Sequence, residues 1–454
     1  MTGGFENDTI AAIATPSGEG GIAIVRISGG RAKEILQRLF SPAKADCPFE
    51  QCRLYYGRVM VSGKPFDEGL AVMMYAPRSY TREDVAELQL HGGAYLARAV
   101  LKEACELGAR PAEAGEFTRR AFENGRIDLS QAEGVMSLIR ASGEESARAA
   151  LRQLEGGSSA FIKKQLAALY EAVAGVEAAI DYPDEIDEAE AAGNLAESLQ
   201  KIAAELESAV REKDWRLMME GLYAVLCGRP NVGKSSLMNA LLRQDRSIVT
   251  DKAGTTRDTI EARLTISGQA ITLTDTAGLR SGADEAEREG VSRAKKAIES
   301  ADALLTVIDA SMPLTDEDRE TLALRSEAKR LVILNKSDLK TLTDESDIRR
   351  LCADAEIVSV SAKEGLNIER VKDFLLRAAS HRSEFELSGV RQMRAAKEAA
   401  QALRSATDAL SAGLPVDLAE IDIRRAVSLL GSLTGDEVEE RILDRVFSDF
   451  CVGK

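Results

Sequence analysis

Apolar positions along the chain fall into distinct regimes. Through the first 120 or so residues, short strand-like runs such as Gly21–Ile27 and Gly69–Met74 alternate with helical stretches such as Ala94–Leu107, the pattern of an α+β domain. From Leu129 onward the pattern turns to long alanine- and leucine-rich helices, broken at Gly156–Gly157 and again at Asp181–Glu185. It returns from Met393 to the end, with breaks near Gly413–Pro415 and Thr434–Gly435. Between the helical stretches, strand-like Leu222–Cys227, Ala270–Gly278, Leu331–Leu334 and Ile357–Val360 and the helical Ser236–Leu242 describe an α/β core.

The expected division is a multidomain chain: 1–120 as an α+β amino-terminal domain, 121–220 and 381–454 as helical parts, and 221–380 as an α/β core. Domain termini usually lie at the surface and often close together, so such a core can be inserted without separating the halves of its host. The two helical parts are therefore expected to form one discontinuous all-α domain. The competing arrangement is a string of beads with two separate bundles.

The core carries the most informative residues. Gly228-Arg-Pro-Asn-Val-Gly-Lys-Ser235 is a G-x-x-x-x-G-K-[ST] loop between a strand and a helix, the context in which backbone amides face phosphates. Asn231, Val232, Gly233, Lys234, Ser235 and Ser236 are its candidate contacts. Lys234 would neutralise the β and γ phosphates, and the Ser235 hydroxyl would ligate a bridging magnesium ion. Downstream, Asp275 ends a strand where a carboxylate can hold the magnesium shell through water, and Thr276, Ala277 and Gly278 follow, Gly278 offering an amide to the γ phosphate.

Asn335-Lys-Ser-Asp338 discriminates between nucleotides. Asp338 can accept two hydrogen bonds from guanine N1 and its exocyclic amine, whereas adenine presents an acceptor at N1 and no such amine. An unpaired buried carboxylate is costly, so ATP is expected to be rejected. The Lys336 stem can lie over the base, and Ser361-Ala362-Lys363 would close the pocket. Four such strings in the right order, each after a strand, define a GTPase core. Between them, Thr250-Asp251-Lys252-Ala253-Gly254-Thr255-Thr256 fits a switch loop folding over the γ phosphate, with Thr256 completing the magnesium shell. Leu279 stands where small signalling GTPases use glutamine to position water, so hydrolysis needs another polar group.

Composition narrows the setting. The 454 residues suit about three domains, and 44% hydrophobic with 29% charged residues is a globular composition. The six cysteines form no C-x-x-C pair and read as reduced thiols, and two histidines are too few for a histidine-based metal site. No apolar run reaches membrane-spanning length and no basic-then-apolar leader is visible, which points to a cytoplasmic protein without a membrane partner. A net charge of −15, with the excess mostly in 131–220, argues against a broad basic surface for nucleic acid. RNA contact would need a local patch or a partner. A GTPase acting as an assembly factor would carry a basic RNA-binding module, which is missing from the flanking segments.

Beyond the core, the whole chain resembles the MnmE (TrmE) family of bacterial and organellar tRNA-modification GTPases. The resemblance is carried by Ala14-Thr-Pro-Ser-Gly18, Arg26-Ile-Ser-Gly29, Tyr80-Thr-Arg-Glu-Asp84, Glu87-Leu-Gln-Leu-His-Gly-Gly93, Pro111-Ala-Glu-Ala-Gly-Glu-Phe117, Arg119-Arg-Ala-Phe122, Asp128-Leu-Ser-Gln-Ala-Glu133 and Cys451-Val-Gly-Lys454. It implies a tetrahydrofolate-binding amino-terminal domain that forms a homodimer. It also implies a flavoprotein partner, MnmG, with which the wobble uridine of certain tRNAs is modified at carbon 5 by an aminomethyl or carboxymethylaminomethyl group. A one-carbon folate such as 5-formyltetrahydrofolate would supply the methylene. Arg26, Glu87, Arg126 and Lys454 match the folate contacts, Arg126 standing where some relatives have lysine. Asn231, Thr250, Lys252 and Thr255 match positions binding potassium, which assists hydrolysis when two GTPase domains meet. Glu287 matches the glutamate that orients water and, with Lys234, completes the implied catalytic pair.

Overall fold

The computed structural model describes residues 8–16, 18–44, 48–141, 143–181, 188–244, 261–275, 295–324, 326–380, 385–414, 416–435, 440–448 and 450–453. The chain divides into two compact units, one drawn from Met1–Met136, Gln153–Glu207 and Arg394–Lys454, the other from Ser137–Arg152 and Ser208–Met393.

The first unit opens with a seven-stranded sheet in the order β3-β4-β5-β6-β2-β1-β7. Its strands are β1 (Ile10–Ile13), β2 (Ile22–Ser28), β3 (Phe40–Pro42), β4 (Leu54–Val61), β5 (Lys64–Met74), β6 (Val85–His91) and β7 (Arg110–Pro111). All pairings are antiparallel except β1 with β7. Period-two alternation sends Ala23, Val25 and Ile27 of β2 and Ala86, Leu88 and Leu90 of β6 into a core with Ile35, Leu36 and Leu39 of the helix Ala32–Leu39, and Ala97, Val100 and Ala104 of the helix Ala94–Glu106. Each large aliphatic side chain buried there contributes about 1.5–3 kcal/mol. The same alternation leaves Arg26 and Glu87 directly opposite one another on the other face.

Within this unit, the helix Glu188–Ala209 buries Leu195, Leu199, Ile202 and Leu206, spaced three or four apart as a single helical stripe requires. The helix Val416–Thr434 lies along Gly157–Asp181 and buries Ala419, Ile423, Ala426, Leu430 and Leu433 in the same rhythm. Helices end or begin at each break read from the sequence: Leu154 and Gly157, Asp181, Ser411 and Val416, and Thr434. The helix Glu440–Ser448 sets Phe447 and Phe450 against Leu129, Val135 and Met136. Beyond it Val452 forms an isolated bridge with Ala114, just past β7.

The second unit is a six-stranded sheet in the order β13-β12-β11-β8-β10-β9. Its strands are β8 (Leu222–Cys227), β9 (Glu261–Ile266), β10 (Gln269–Asp275), β11 (Ala303–Asp309), β12 (Lys329–Asn335) and β13 (Glu356–Ser359). Only β9 runs antiparallel to its neighbour. Leu226, Leu305, Ile333 and Val358 pack with Leu237 and Leu241 of the helix Lys234–Gln244 and with Leu375 of Ile368–Ala379. The boundaries of the two units differ from the segment limits of the sequence reading. Residues 208–220 join the sheet through the helix Glu212–Glu220, whose Trp215 packs edge-on to Phe385 and whose Arg216 pairs with Asp302. Residues 137–152 come with them, Gly143 approaching the Gly268 carbonyl so closely that a Cβ would lie 2.4 Å from it. Among the described residues, no helix is long and apolar enough to cross a membrane.

Candidate nucleotide and ligand sites

Strand order in the second unit reverses at β8, which lies between β11 and β10, and crevices at such switch points are where α/β sheets bind ligands. The loop from Gly228 leaves β8 there, and Asp275 pairs in register with Leu226, so it lies at the same end of the strands, buried beside the loop. Lys234 opens the following helix, and its Nζ donates to the Gly228 carbonyl at 2.9 Å and the Arg229 carbonyl at 3.0 Å. These bonds curl the ammonium over the loop. Ser235 and Ser236 are exposed in the first helical turn, while Val232 is fully buried beneath the loop. Asn231 is exposed in the left-handed region with φ 65°.

The strings that lie far apart in sequence meet through Asn335. Its Nδ2 donates to the Val232 carbonyl at 2.8 Å, and its Oδ1 accepts the Ala362 N–H at 3.0 Å. Gly233 is required at this crossing: its φ is 98°, and a Cβ would lie 2.2 Å from Asn335 Nδ2. Ser361 donates its hydroxyl to Asp338 Oδ1 at 2.6 Å, and this bond holds the exposed carboxyl below the usual carboxylate range. Asp338 is thus ionised at neutral pH and oriented as an acceptor. Lys363 is exposed, its ammonium 3.6 Å from Glu364.

Beside the expected residues the structure adds Asp309 and the pair Arg229 and Asp318. Lys336 adopts φ 64° and donates its Nζ to Asp309 Oδ2 at 2.6 Å. Burial pushes the Asp309 carboxyl up, but Lys336 and two bonds from Ser311 outweigh it and hold it below the ordinary range. Arg229 lies 3.3 Å from Asp318, which a capping box with Thr315 orients. An acid closing the otherwise apolar run of β11 was the available signal for Asp309.

In the first unit, Arg26 Nε donates to Glu87 Oε1 at 2.7 Å and Nη1 to the Gly453 carbonyl at 3.2 Å. The guanidinium also lies 5.8 Å from the Tyr80 ring centre and 5.7 Å from that of Phe117. Arg126 stacks on Tyr80 at 4.6 Å and donates to its carbonyl at 2.8 Å. Two of the four expected folate contacts, Arg26 and Arg126, thereby lie against one aromatic ring, and a third, Glu87, holds Arg26, a cationic and aromatic site suited to a planar anionic ligand. Gly453 takes φ 97°, and a Cβ there would lie 2.5 Å from the Ile13 carbonyl, so glycine lets the tail pass.

In the same unit, fully buried Arg120 reaches the Asp8 carbonyl and the Glu83 and Glu116 carboxylates, and Arg110 joins Asp8 to Glu116. Burial raises the Glu116 carboxyl, but Arg110 chiefly brings it below the ordinary range. Missed in sequence were Tyr80 and Phe117 as ring partners and this ion network. The only hint was the concentration of arginines and acids in the short amphipathic segment Glu116–Glu123.

Thr250, Asp251, Lys252, Ala253, Gly254, Thr255, Thr256, Thr276, Ala277, Gly278, Glu287 and Lys454 lie outside the described residues. Among the described residues there is no cluster of histidine, cysteine or acidic ligands for a metal ion. The oxygen donors Ser235 and Asp275, near one sheet edge, nevertheless fit a hard ion that keeps most of its water shell.

A parallel sheet bearing a glycine-rich loop at its switch point, tied by Asn335 to a loop carrying an ionised acid, defines a P-loop GTPase. Comparison with known proteins gives the family. A model described as the MnmE helical domain matches residues 129–451, and one described as the GTP-binding protein TrmE N-terminus matches residues 9–126. The tRNA modification GTPase MnmE of Lactiplantibacillus plantarum is 41% identical over 462 residues, covering 99% of each chain. That of Lactococcus lactis subsp. cremoris strain SK11 is 42% identical over 461 residues, covering 100% of each. The solved G domain of the T. maritima FeoB iron transporter is 23% identical, covering 35% of this chain and 99% of its own, with a TM-score of 0.28. The chain belongs to the MnmE family of tRNA modification GTPases.

Proposed function

We propose that the chain is a GTP-hydrolysing tRNA modification enzyme whose nucleotide cycle drives modification of the wobble uridine at carbon 5, together with an MnmG-type flavoprotein. The observation that carries this reading is the second site: Arg26 and Arg126 against Tyr80, with Glu87 holding Arg26, in a chain whose other unit holds the guanine clamp. A GTPase acting only as a switch has no need of a cationic and aromatic cradle.

In this reading Lys234 neutralises the β and γ phosphates, and Asp338 accepts from guanine. Ser235 holds a magnesium ion directly and Asp275 holds it through water. The ion, when bound, offsets charge on the transferring phosphoryl group. Of the residues proposed for potassium, Asn231 is the one described, exposed at the loop and open to a cation contributed as two GTPase domains meet. Glu287 is assigned to orient water, in place of the group that Leu279 lacks. Arg26, Glu87, Arg126 and Lys454 are assigned to a folate one-carbon donor in an amino-terminal domain that forms a homodimer, and the folate supplies the methylene. The helical segments on either side of the core are read as one discontinuous domain into which the GTPase core is inserted, and a cytoplasmic location follows from this role.

The test has two arms. Calorimetric titration with 5-formyltetrahydrofolate is expected to show binding that Arg26→Ala abolishes. GTP hydrolysis is expected to be faster in potassium than in sodium salts. Absent folate binding would return the chain to the class of assembly GTPases, and equal rates in both salts would overturn the cation assignment.

A further inference from the structure

Asp309, the partner of Lys336, lies outside every role assigned above. Asp309 ends β11 directly opposite Asn335 of β12, and the Ala310 N–H donates to the Asn335 carbonyl at 2.9 Å, so backbone bonds fix the acid beside the guanine loop. One carboxylate oxygen accepts the Ser311 N–H at 3.0 Å and its hydroxyl at 2.6 Å, and the other accepts Lys336 Nζ at 2.6 Å. The Asp309 side chain is only 6% exposed and that of Lys336 34%. A lysine free in solvent samples many rotamers. This one has its backbone held at φ 64° and its ammonium held by an acid that is itself held twice. Its four-carbon stem is thereby held between two fixed ends.

We propose that Asp309 is a positioning residue for guanine nucleotides: by holding the Lys336 ammonium it preorganises the Lys336 stem as the platform on which the purine ring lies. The proposal rests on the GTPase reading and adds the residue that sets the platform. A stem ordered in advance costs nothing to order on binding, and that saving is independent of phosphate number and of the purine 2-substituent, because Asp338 reads that substituent separately.

The test uses the full-length chain and fluorescent guanine nucleotides. Asp309→Asn is expected to raise the dissociation rates of the diphosphate and the triphosphate equally, by about two- to tenfold, the factor that immobilising one long side chain is worth. The preference for guanine over hypoxanthine nucleotide is expected to stay unchanged, which general damage to the loop would not allow. Lys336→Met, which keeps a stem but loses the charge, is expected to have a similar effect, and the double variant to go no further than either single one. Unchanged dissociation in Asp309→Asn, a lowered thermal midpoint with unchanged rates, or single effects that multiply in the double variant would overturn the proposal. Should Asp309→Asn fail to fold, Ser311→Ala removes one of the two bonds aligning the acid. It is expected to shift dissociation in the same direction by a smaller factor, and no shift there would also overturn it. The unsubstituted chain's own affinity, measured alongside, reports separately on the GTPase reading.

Discussion

The side-chain amide of Asn335 donates to the backbone carbonyl of Val232, joining the end of β12 to the middle of the glycine-rich loop 103 residues earlier. Its oxygen simultaneously accepts from Ala362, so one side chain sets the spacing of three loops. A single buried amide therefore holds together the loops proposed to take the phosphates and the base.

Replacing that amide removes both bonds and leaves a buried carbonyl and N–H without it. Asn335→Ala is expected to destabilise the second unit by about 1–3 kcal/mol and to weaken GDP and GTP by tenfold or more. Trp215, the chain's single tryptophan, is buried against Phe385 in that unit, so its fluorescence during urea unfolding reads the first quantity. An unchanged midpoint and affinity would show that the bridge is dispensable.

Gly233→Ala is expected to be harsher. The new Cβ meets Asn335 Nδ2 at 2.2 Å from a φ that side chains rarely adopt, and moving the amide away would break its bonds to Val232 and Ala362. Nucleotide binding in a filter or fluorescence assay should be lost while the first unit still folds. Retained binding would contradict the crossing as described.

Asp338→Asn exchanges an acceptor for an amide that also donates. Xanthine carries a carbonyl where guanine carries its amine, so preference should move toward xanthosine triphosphate, with GTP weakened by about a hundredfold or more. Competition binding checks both, and GTP affinity close to the original would remove Asp338 from the base pocket.

On the sheet of the first unit, Asp67 hydrogen-bonds His91 Nδ1 at 2.7 Å and raises the imidazole above its ordinary value. Burial pushes the Asp67 carboxyl up, but its bonds with His91 outweigh this and bring it below its own ordinary value. A histidine raised on folding stabilises the native state fully below its unfolded pKa near ~6.5 and loses that contribution as pH rises through the folded value. Stability of this unit should therefore decline as pH rises above about 6.5. Asp67→Asn is expected to flatten the decline and return the His91 resonance to an ordinary titration, which proton NMR resolves among only two histidines.

How much of this was legible beforehand follows the range of each interaction. The loop Gly228–Ser235, the acids Asp275 and Asp338 and the helix breaks at Gly156, Gly413 and Thr434 depend on φ preferences, period and functional groups within a few residues, so the chain states them directly. Gly233 was legible as a loop glycine, but not as the residue on which Asn335 rests. The pairing of Arg26 with Glu87 needed the register of β2 against β6, which is decided by how the buried faces of several strands fit their helices. The same holds for Tyr80 under two guanidinium groups, for Arg120 buried among Asp8, Glu83 and Glu116, and for Asp309 against Lys336.

By itself, then, the sequence determined the available chemistry: a glycine-rich loop, an acid proposed to select guanine, and a set of arginines and acids in the amino-terminal part. Tertiary structure alone decided which of these meet, which segments join which unit, and that the tail brings the Gly453 carbonyl to Arg26. The reason is physical. Functional groups and local backbone preferences are properties of residues and their near neighbours, whereas a hydrogen bond between positions hundreds of residues apart exists only once burial of the apolar faces has fixed the register that brings them together.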